Sequence, residues 1–289
     1  MEPVWRRYLH DYNEGLGVVY ERLVLNDYLL SLKAKYGVET VLEAPLYGMA
    51  GVSGINSVAL ARAGCAVTLL DEDAERLEGV KRIWHELNLD GQVNILRQTD
   101  FGSLPFDDGR FDLAWCWAAL WYVRDAERLL AEMARVSRWL VFVAMPNRIQ
   151  VGYLLRKFVL EPGFFKGVDE SWADIRRVTS VLTRLGLKAA DEGVMDVPPW
   201  PDTVMPAGQV LQRLGVRSKR IAGRFEGSGW QWSTMDYYLG RRPELKAMIE
   251  RYMFLERLPL PRRLKTLWAH HCYVLARKPY AAESPSAGG

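Results

Sequence analysis

The sequence predicts an α/β fold built on a mostly parallel sheet. Short runs of apolar and β-branched residues alternate with helical patterns at the spacing of β-α-β units. The first run, 40–44, contains Glu43 and opens into a glycine-rich turn that leads into a helix, and a second run, 67–70, is followed by Asp71. This layout is typical of a nucleotide-binding crevice. Glycines there let the backbone approach the ligand, and an acid after the second strand accepts hydrogen bonds from ribose hydroxyls.

The predicted elements follow one another in a regular order. The strands are expected at 40–44, 67–70, 93–96, 111–116, 139–144, 187–197 and 271–276. The helices are expected at 12–35, 55–62, 74–87, 126–136, 153–160 and 171–185, with more helical sequence between 202 and 265. Gly37, Gly64 and Gly186 stand where three of these helices should end, since glycine readily adopts the left-handed conformation of a helix terminus.

The composition excludes several classes of protein. Apolar residues make up 49% and charged residues 25% of the 289 residues, as in an ordinary globular protein. The net charge of +3 gives no strong case for binding nucleic acid or an anionic membrane, and no apolar run is long enough to span a bilayer. The N-terminus lacks the apolar stretch of a secretory signal, so we expect a cytoplasmic protein. Cys65, Cys116 and Cys272 lie far apart and predict buried free thiols, with no metal site.

The stretch 99–113 separates the two cofactor classes that use such a crevice, dinucleotides and S-adenosyl-L-methionine. It carries Asp100, then Leu104-Pro105-Phe106, then Phe111-Asp112. With these residues the chain resembles the class I S-adenosylmethionine-dependent methyltransferases over about 12–144, and most closely the branch that contains the ubiquinone and menaquinone biosynthesis methyltransferases. The resemblance implies a Rossmann-like sheet of seven strands with an antiparallel last strand. It also implies methyl transfer from S-adenosyl-L-methionine to a small molecule, with S-adenosyl-L-homocysteine as the product.

The resemblance and the chemistry of the residues together predict a set of cofactor-binding residues at the ends of the strands: Glu43, Gly48, Gly51, Gly54, Asp71, Glu72, Asp100, Phe101 and Trp117. In the family, the acid after the second strand binds the ribose hydroxyls, which is the position of Asp71, and the acid after the third strand binds the adenine amino group, which is the position of Asp100. Three of these residues also have a simpler interpretation, in which Glu43 and Asp71 cap helices and Asp100 forms a turn. The glycine loop departs from the family pattern, because four residues separate Glu43 from Gly48 and the glycines are spaced by three.

Aromatic residues predict the rest of the pocket. Trp117 and Trp121 belong to an aromatic patch after the fourth strand, and an aromatic face attracts a cation such as a sulfonium. In the family an N-terminal helix folds over the cofactor. We therefore place Tyr12 and Tyr20 with Trp121 in the substrate pocket, with packing in the core as the alternative for all three.

His270 and His271 are the candidates for a catalytic base, because a histidine titrates near neutral pH. Strand alternation predicts that only one of them faces the cleft, and a structural role is the alternative for both. The motif from Asp196 to Trp200 resembles the Asp-Pro-Pro-Tyr signature of amino-methylating enzymes. It follows the sixth strand, whereas that signature follows the fourth, so we interpret it as structural.

The predicted organisation has four parts: an N-terminal helical cap at 1–39, a methyltransferase core at 40–200 and 266–280, a basic helical insertion at 201–265 that serves as a substrate lid, and a disordered tail at 281–289. The predicted partner is a small-molecule methyl acceptor, with no nucleic acid and no membrane span. Two alternatives remain. One is an S-adenosylmethionine-binding regulatory or partner protein without activity. The other is an NAD(P)-dependent oxidoreductase, although its Gly-x-Gly-x-x-Gly pattern is absent.

Overall fold

The computed structural model describes residues 4–46, 50–200 and 232–279, and its centre is a sheet of seven strands. The strands are β1 (Thr40–Glu43), β2 (Ala66–Asp71), β3 (Val93–Arg97), β4 (Phe111–Trp117), β5 (Ser137–Pro146), β6 (Lys188–Met195) and β7 (His271–Arg277). Their order is β3-β2-β1-β4-β5-β7-β6, and β7 runs antiparallel to both of its neighbours while the other pairs are parallel. The predicted fold class is confirmed, including the antiparallel last strand.

Ten α-helices lie among the described residues. They are α1 (Leu16–Tyr36), α2 (Val58–Arg62), α3 (Ala74–Glu86), α4 (Ala126–Val136), α5 (Val151–Leu155), α6 (Ile175–Arg184), α7 (Thr234–Tyr238), α8 (Leu245–Glu250), α9 (Phe254–Arg257) and α10 (Arg262–Thr266). Within the described chain, no helix has both the length and the apolar character that crossing a membrane requires.

Aspartate caps set the starts of the long crossover helices. Asp73, Asp125 and Asp174 each accept a hydrogen bond from a backbone N–H in the first turn of α3, α4 and α6. The cap at Asp174 explains why α6 begins at Ile175 instead of 171, since Glu170–Ala173 forms a separate 3₁₀ turn. The predicted helix 153–160 is likewise shorter, because α5 passes into a π-helical turn at Arg156–Leu160.

The sheet separates two apolar clusters. Every residue of β4 is buried, and alternate side chains enter opposite clusters: Leu113 and Trp115 enter one, while Ala114 and Cys116 enter the other. Helices cover both faces, which is why the strands of this mainly parallel sheet are apolar on both sides. Cys65 and Cys116 are buried free thiols as predicted, while Cys272 is half-buried.

The described part of the predicted insertion is helical and packs on the N-terminal helix. Leu245, Ile249 and Met253 contact Tyr20 and Leu23 of α1 in a third apolar cluster. Residues 201–231 of the predicted lid, which include the basic positions Arg217, Lys219, Arg220 and Arg224, lie outside the described residues, as does the predicted tail. The domain boundaries and the lid stay predictions.

Candidate functional site

The carboxyl edge of the parallel strands gathers most of the predicted site. Glu43 ends β1, Asp71 ends β2 and Trp117 ends β4. Because β7 is antiparallel, its first residue, His271, pairs with Pro146 at the end of β5 and lies at the same edge. This edge is where open α/β sheets bind their ligands.

Glu43 is a buried carboxylate beneath the turn that leads into α2. It accepts hydrogen bonds from the Ser57 hydroxyl at 2.6 Å and the Asn56 side-chain amide at 3.1 Å. Burial raises the pKa of Glu43 to about 7, although these hydrogen bonds oppose the shift. Ser57 is itself the N-cap residue of α2, so the carboxylate braces the start of this helix and stands next to the glycine loop.

Two glycines of the loop are required by the protein's own packing. Gly48 lies outside the described residues, whereas Gly51 and Gly54 have positive φ angles of 87° and 71°. A Cβ atom on Gly51 would lie 2.6 Å from the Val18 side chain, and one on Gly54 would lie 2.7 Å from the Val80 side chain. The contact of these glycines with a cofactor stays a prediction.

A buried ion pair that the sequence analysis missed lies beneath the same loop. The Glu14 carboxylate accepts hydrogen bonds from Arg22 at 2.9 Å and from the Val52 N–H at 2.8 Å. Its second oxygen accepts from the Thr234 N–H at 2.9 Å. Arg22 also donates to the Asn56 side chain, which in turn reaches Glu43. The available signal was a charged residue, Arg22, among the apolar positions of α1.

Asp71 is buried at the end of β2 and already has protein partners. One oxygen pairs with the Arg76 guanidinium at 2.7 Å, and the other accepts from the Asp73 N–H at 2.9 Å. Burial raises the pKa of Asp71 against the opposing charge of Arg76. The interpretation of Asp71 as the helix cap is wrong, because Asp73 caps α3. Glu72, the next residue, is exposed and has access to a ligand. Both Asp71 and Glu72 therefore remain predicted ribose ligands.

The predicted adenine site follows β3. Asp100 is exposed and accepts a hydrogen bond from the Gly102 N–H at 2.9 Å, which forms the turn that was the alternative interpretation. Phe101 is buried with Leu70 and Leu104 in an apolar cluster. A carboxylate can accept several hydrogen bonds, so Asp100 can form this turn and bind the adenine amino group at the same time. The adenine contact of Asp100 stays a prediction.

The predicted aromatic patch is divided by the sheet. Trp117 lies on one side, where its indole N–H donates to Glu21 at 2.6 Å. Trp121 packs in the apolar cluster of the other side, with its ring 5.7 Å from that of Phe164. The structure therefore does not bring Trp117 and Trp121 together.

The two tyrosines of the predicted pocket contact different parts of the protein. The Tyr12 hydroxyl donates to Glu86 of α3 at 2.8 Å. Tyr20 is buried with its ring against that of Trp200, at 5.4 Å. The role of Tyr12, Tyr20 and Trp121 in binding substrate stays a prediction.

His270 and His271 converge on one carboxylate. Their Nδ1 atoms lie 3.1 and 3.2 Å from the same oxygen of Asp196. The expectation that the two rings point to opposite faces is wrong, because β7 begins at His271 and His270 lies before the alternating backbone of the strand. Asp196, interpreted from the sequence as structural, thus holds both imidazoles.

The half-buried Glu21 completes this group. The ligand-type atoms of Glu21, Asp196 and His271 lie within 4.8 Å of one another, and the Trp117 ring lies 4.4 Å from the His271 ring. Burial opposes protonation of His271, but the hydrogen bond to Asp196 and the charges of Glu21 and Asp196 outweigh it and raise the pKa of His271. Burial raises the pKa of Glu21.

Comparison with known proteins agrees with this geometry. Residues 49–139 match the family model described as a methyltransferase domain. A segment of 89 residues is 30% identical to the sarcosine/dimethylglycine N-methyltransferase of Halorhodospira halochloris, and it covers 31% of this chain and 32% of that protein. The match thus spans about a third of the length of this curated relative.

Two solved structures share the fold. The magnesium protoporphyrin IX methyltransferase ChlM of Synechocystis PCC 6803, with bound S-adenosylhomocysteine, has a TM-score of 0.55 at 13% identity, covering 95% of this chain and 93% of that one. The [4+2]-cyclase SpnF has a TM-score of 0.53 at 17% identity, covering 88% of this chain and 80% of that one. Residues 49–139 thus match a methyltransferase domain, and the chain shares the fold of a class I S-adenosylmethionine-dependent methyltransferase. The predicted cofactor class is therefore confirmed.

Proposed function

We propose that this protein transfers the methyl group of S-adenosyl-L-methionine to a small-molecule acceptor in the cytoplasm, with His271 as the proton acceptor. The observation that carries the proposal is the placement of His271. It lies at the ligand-binding edge of the sheet, held by Asp196 and packed against Trp117. An imidazole fixed in this way by a carboxylate is a common general base.

The residues present suit the cofactor. Adenosine offers hydroxyl and amino donors, and the exposed carboxylates of Glu72 and Asp100 are acceptors at the ends of β2 and β3. Glu43 would stand near the ammonium group of the methionine part. The bound cofactor supplies a methyl group on a sulfonium, which is already activated for in-line displacement. The protein therefore needs mainly to align the reactants and exclude water, which contributes roughly 7–11 kcal/mol in favourable cases.

The proton from the acceptor would go to His271. Since Nδ1 lies against the Asp196 carboxylate, the neutral ring carries its proton on Nδ1 and leaves Nε2 as the basic nitrogen. Asp196 then stabilises the imidazolium that forms. The half-buried Glu21 carboxylate adds to this stabilisation.

Calorimetric titration with S-adenosyl-L-homocysteine, with NADH in parallel, is the first test. We expect micromolar binding of the former and none of the latter, and the reverse result would support the oxidoreductase alternative. Asp71→Asn and Glu72→Gln then identify the ribose ligand, because only the residue that binds the hydroxyls should weaken affinity by about tenfold or more. Unchanged affinity in both variants would remove both acids from the site.

A cofactor-binding protein without activity is the second candidate, and one observation favours it. His271, the candidate base, is only 7% exposed and its Nδ1 lies against Asp196, an arrangement that would serve equally well as internal packing. An acceptor screen decides between the two, and sarcosine and dimethylglycine are the first compounds to assay because of the matched relative. Methyl transfer that is lost in His271→Asn with affinity for S-adenosyl-L-homocysteine retained would support the proposed function. Binding without methyl transfer to any acceptor would support the second candidate.

A further inference from the structure

Exposed apolar side chains are concentrated in two segments of the described chain. The first segment follows β5 and exposes Ile149, Val151, Leu154, Phe158 and Val159, with Phe158 at 70% exposure. Such large apolar groups are usually covered by a partner or a lipid phase when they occur together on a surface. Single exposed residues of this kind are ordinary, so their grouping is the relevant fact.

The second segment precedes β7. It exposes Phe254, Leu258, Leu260, Leu264 and Leu267, each at 41–56%. Outside the two segments, the large apolar side chains that the described chain exposes are Leu185 and Tyr252, and Tyr252 directly adjoins the second segment. Leu185, at the end of α6, therefore serves as a matched residue elsewhere on the surface.

The sheet brings the two segments together. Pro146 and His271 are register partners, so the chain leaves β5 beside the point where it enters β7. The Asn147 side-chain amide donates to the carbonyls of Thr266 and Ala269 at 2.6 and 2.8 Å. A groove between the segments is lined by residues of both, among them Arg148, Ile149, Arg262 and Arg263. It also contains Glu192 and Asp174. Asp174 pairs with Arg148, whereas Arg262 and Arg263 form no ion pair within the described residues. We call this combined surface, 148–159 with 254–267, the docking face.

The charge of the docking face indicates what covers it. Arg257, Arg262 and Arg263 are exposed among the apolar side chains, and none of them forms an ion pair with an acidic residue in the part of the chain that the structure describes. A second copy of the chain seated on this face by a two-fold axis would bring arginines against arginines. An anionic bilayer surface accepts the apolar side chains and attracts the cations at the same time.

We propose that the docking face binds the surface of an anionic phospholipid bilayer. It lies next to His270 and His271, because Asn147 donates to the carbonyls of both His270 and Thr266. Binding would therefore hold the carboxyl edge of the sheet near the lipid headgroups. The proposal concerns a surface outside the residues assigned to cofactor and proton transfer, and it holds whether or not the protein transfers methyl groups.

Co-sedimentation of the full chain with lipid vesicles tests the proposal. Vesicles of phosphatidylcholine alone are compared with vesicles that contain about 30 mol% phosphatidylglycerol. The variants are Phe158→Ser with Leu264→Ser, Arg262→Gln with Arg263→Gln, and Leu185→Ser as the control. Circular dichroism melting verifies that each variant folds, and sedimentation velocity without lipid reports self-association.

We expect the wild type and Leu185→Ser to bind the anionic vesicles, with binding weakened at high salt. Each double variant should bind at least about tenfold more weakly. Absence of wild-type binding to anionic vesicles would overturn the proposal, and so would an equal loss in Leu185→Ser. Self-association that both double variants abolish, without lipid binding, would assign the face to a second copy instead.

Discussion

The Glu14 carboxylate and the Arg22 guanidinium form a buried ion pair with an N–O distance of 2.9 Å, and their side chains are 0% and 6% exposed. The pair connects three stretches that are distant in sequence, because Glu14 also accepts hydrogen bonds from the N–H groups of Val52 and Thr234. The glycine loop is thus attached both to the N-terminal segment and to the start of α7.

Removing one partner of this pair should destabilise the protein strongly. In Arg22→Met the Glu14 charge stays buried, so we expect a loss of about 3–5 kcal/mol in the free energy of unfolding. Urea denaturation measures it. Lys81→Met, which breaks the exposed pair with Glu78, is the control and should cost less than about 1 kcal/mol. Equal losses in the two variants would show that the Glu14–Arg22 pair contributes no more than a surface contact.

Gly54→Ala should combine backbone strain with a steric clash. The positive φ angle disfavours alanine, and the new Cβ would lie 2.7 Å from Val80. We expect a loss of about 2–5 kcal/mol in thermal or urea unfolding of the ligand-free protein. Gly64→Ala is the matched control, since Gly64 has a φ of 91° and open space around it. A cost for Gly64→Ala as large as that for Gly54→Ala would refute the clash with Val80.

The buried Glu43 should make stability depend on pH. Its pKa is about 7 in the folded protein against 4.5 for the ordinary group, so the protonated form is favoured by folding. The stabilisation is fully present below pH 4.5 and is lost as the pH rises through 7. Between pH 5 and 8, wild type should lose on the order of 2–3 kcal/mol relative to Glu43→Gln in urea unfolding.

A second acid, Glu256, does not affect the comparison between wild type and Glu43→Gln. Burial also raises the pKa of Glu256 to about 7, but Glu256 contributes the same pH dependence to both proteins. The difference between them therefore reports Glu43 alone. Parallel stability curves for the two proteins would mean that Glu43 is ionised at neutral pH in the fold.

Asp196→Asn should move the pH profile of methyl transfer. A base acts in its neutral form, and Asp196 helps to raise the pKa of His271. Without the carboxylate the pKa of His271 should fall, so the acid limb of the kcat profile shifts to lower pH and the plateau drops by about 10²-fold or more. NMR titration follows the ring directly, since the chain has four histidines and His10 and His85 are exposed. An unshifted limb with a normal His271 titration would exclude His271 as the base.

The strands and their end residues could be predicted from the sequence, because β-α-β units are local in the chain. The run before Glu43, the glycine turn and the run before Asp71 lie within about thirty residues, and the structure keeps that order. Four of the seven strands begin at the predicted residue, and the others differ by one or two residues at that end.

The grouping of residues around His271 could not be predicted, because it depends on contacts between distant parts of the chain. Glu21, Asp196 and His271 come from α1, from the turn after β6 and from the start of β7, and no local pattern connects them. The docking face could not be predicted for a related reason. The net charge of +3 is a sum over the whole chain, and it does not show that exposed arginines and exposed leucines lie on the same surface.

The strand order also determines when the sheet can be completed during synthesis. In the described sheet β6 pairs with β7 alone, and β7 lies between β5 and β6. When β6 leaves the ribosome, its partner has not been made, and residues 196–270 must follow first. The free edge of β5 and the unpaired β6 are therefore open to other chains until β7 has been synthesised, which is the stage at which aggregation or chaperone binding would act.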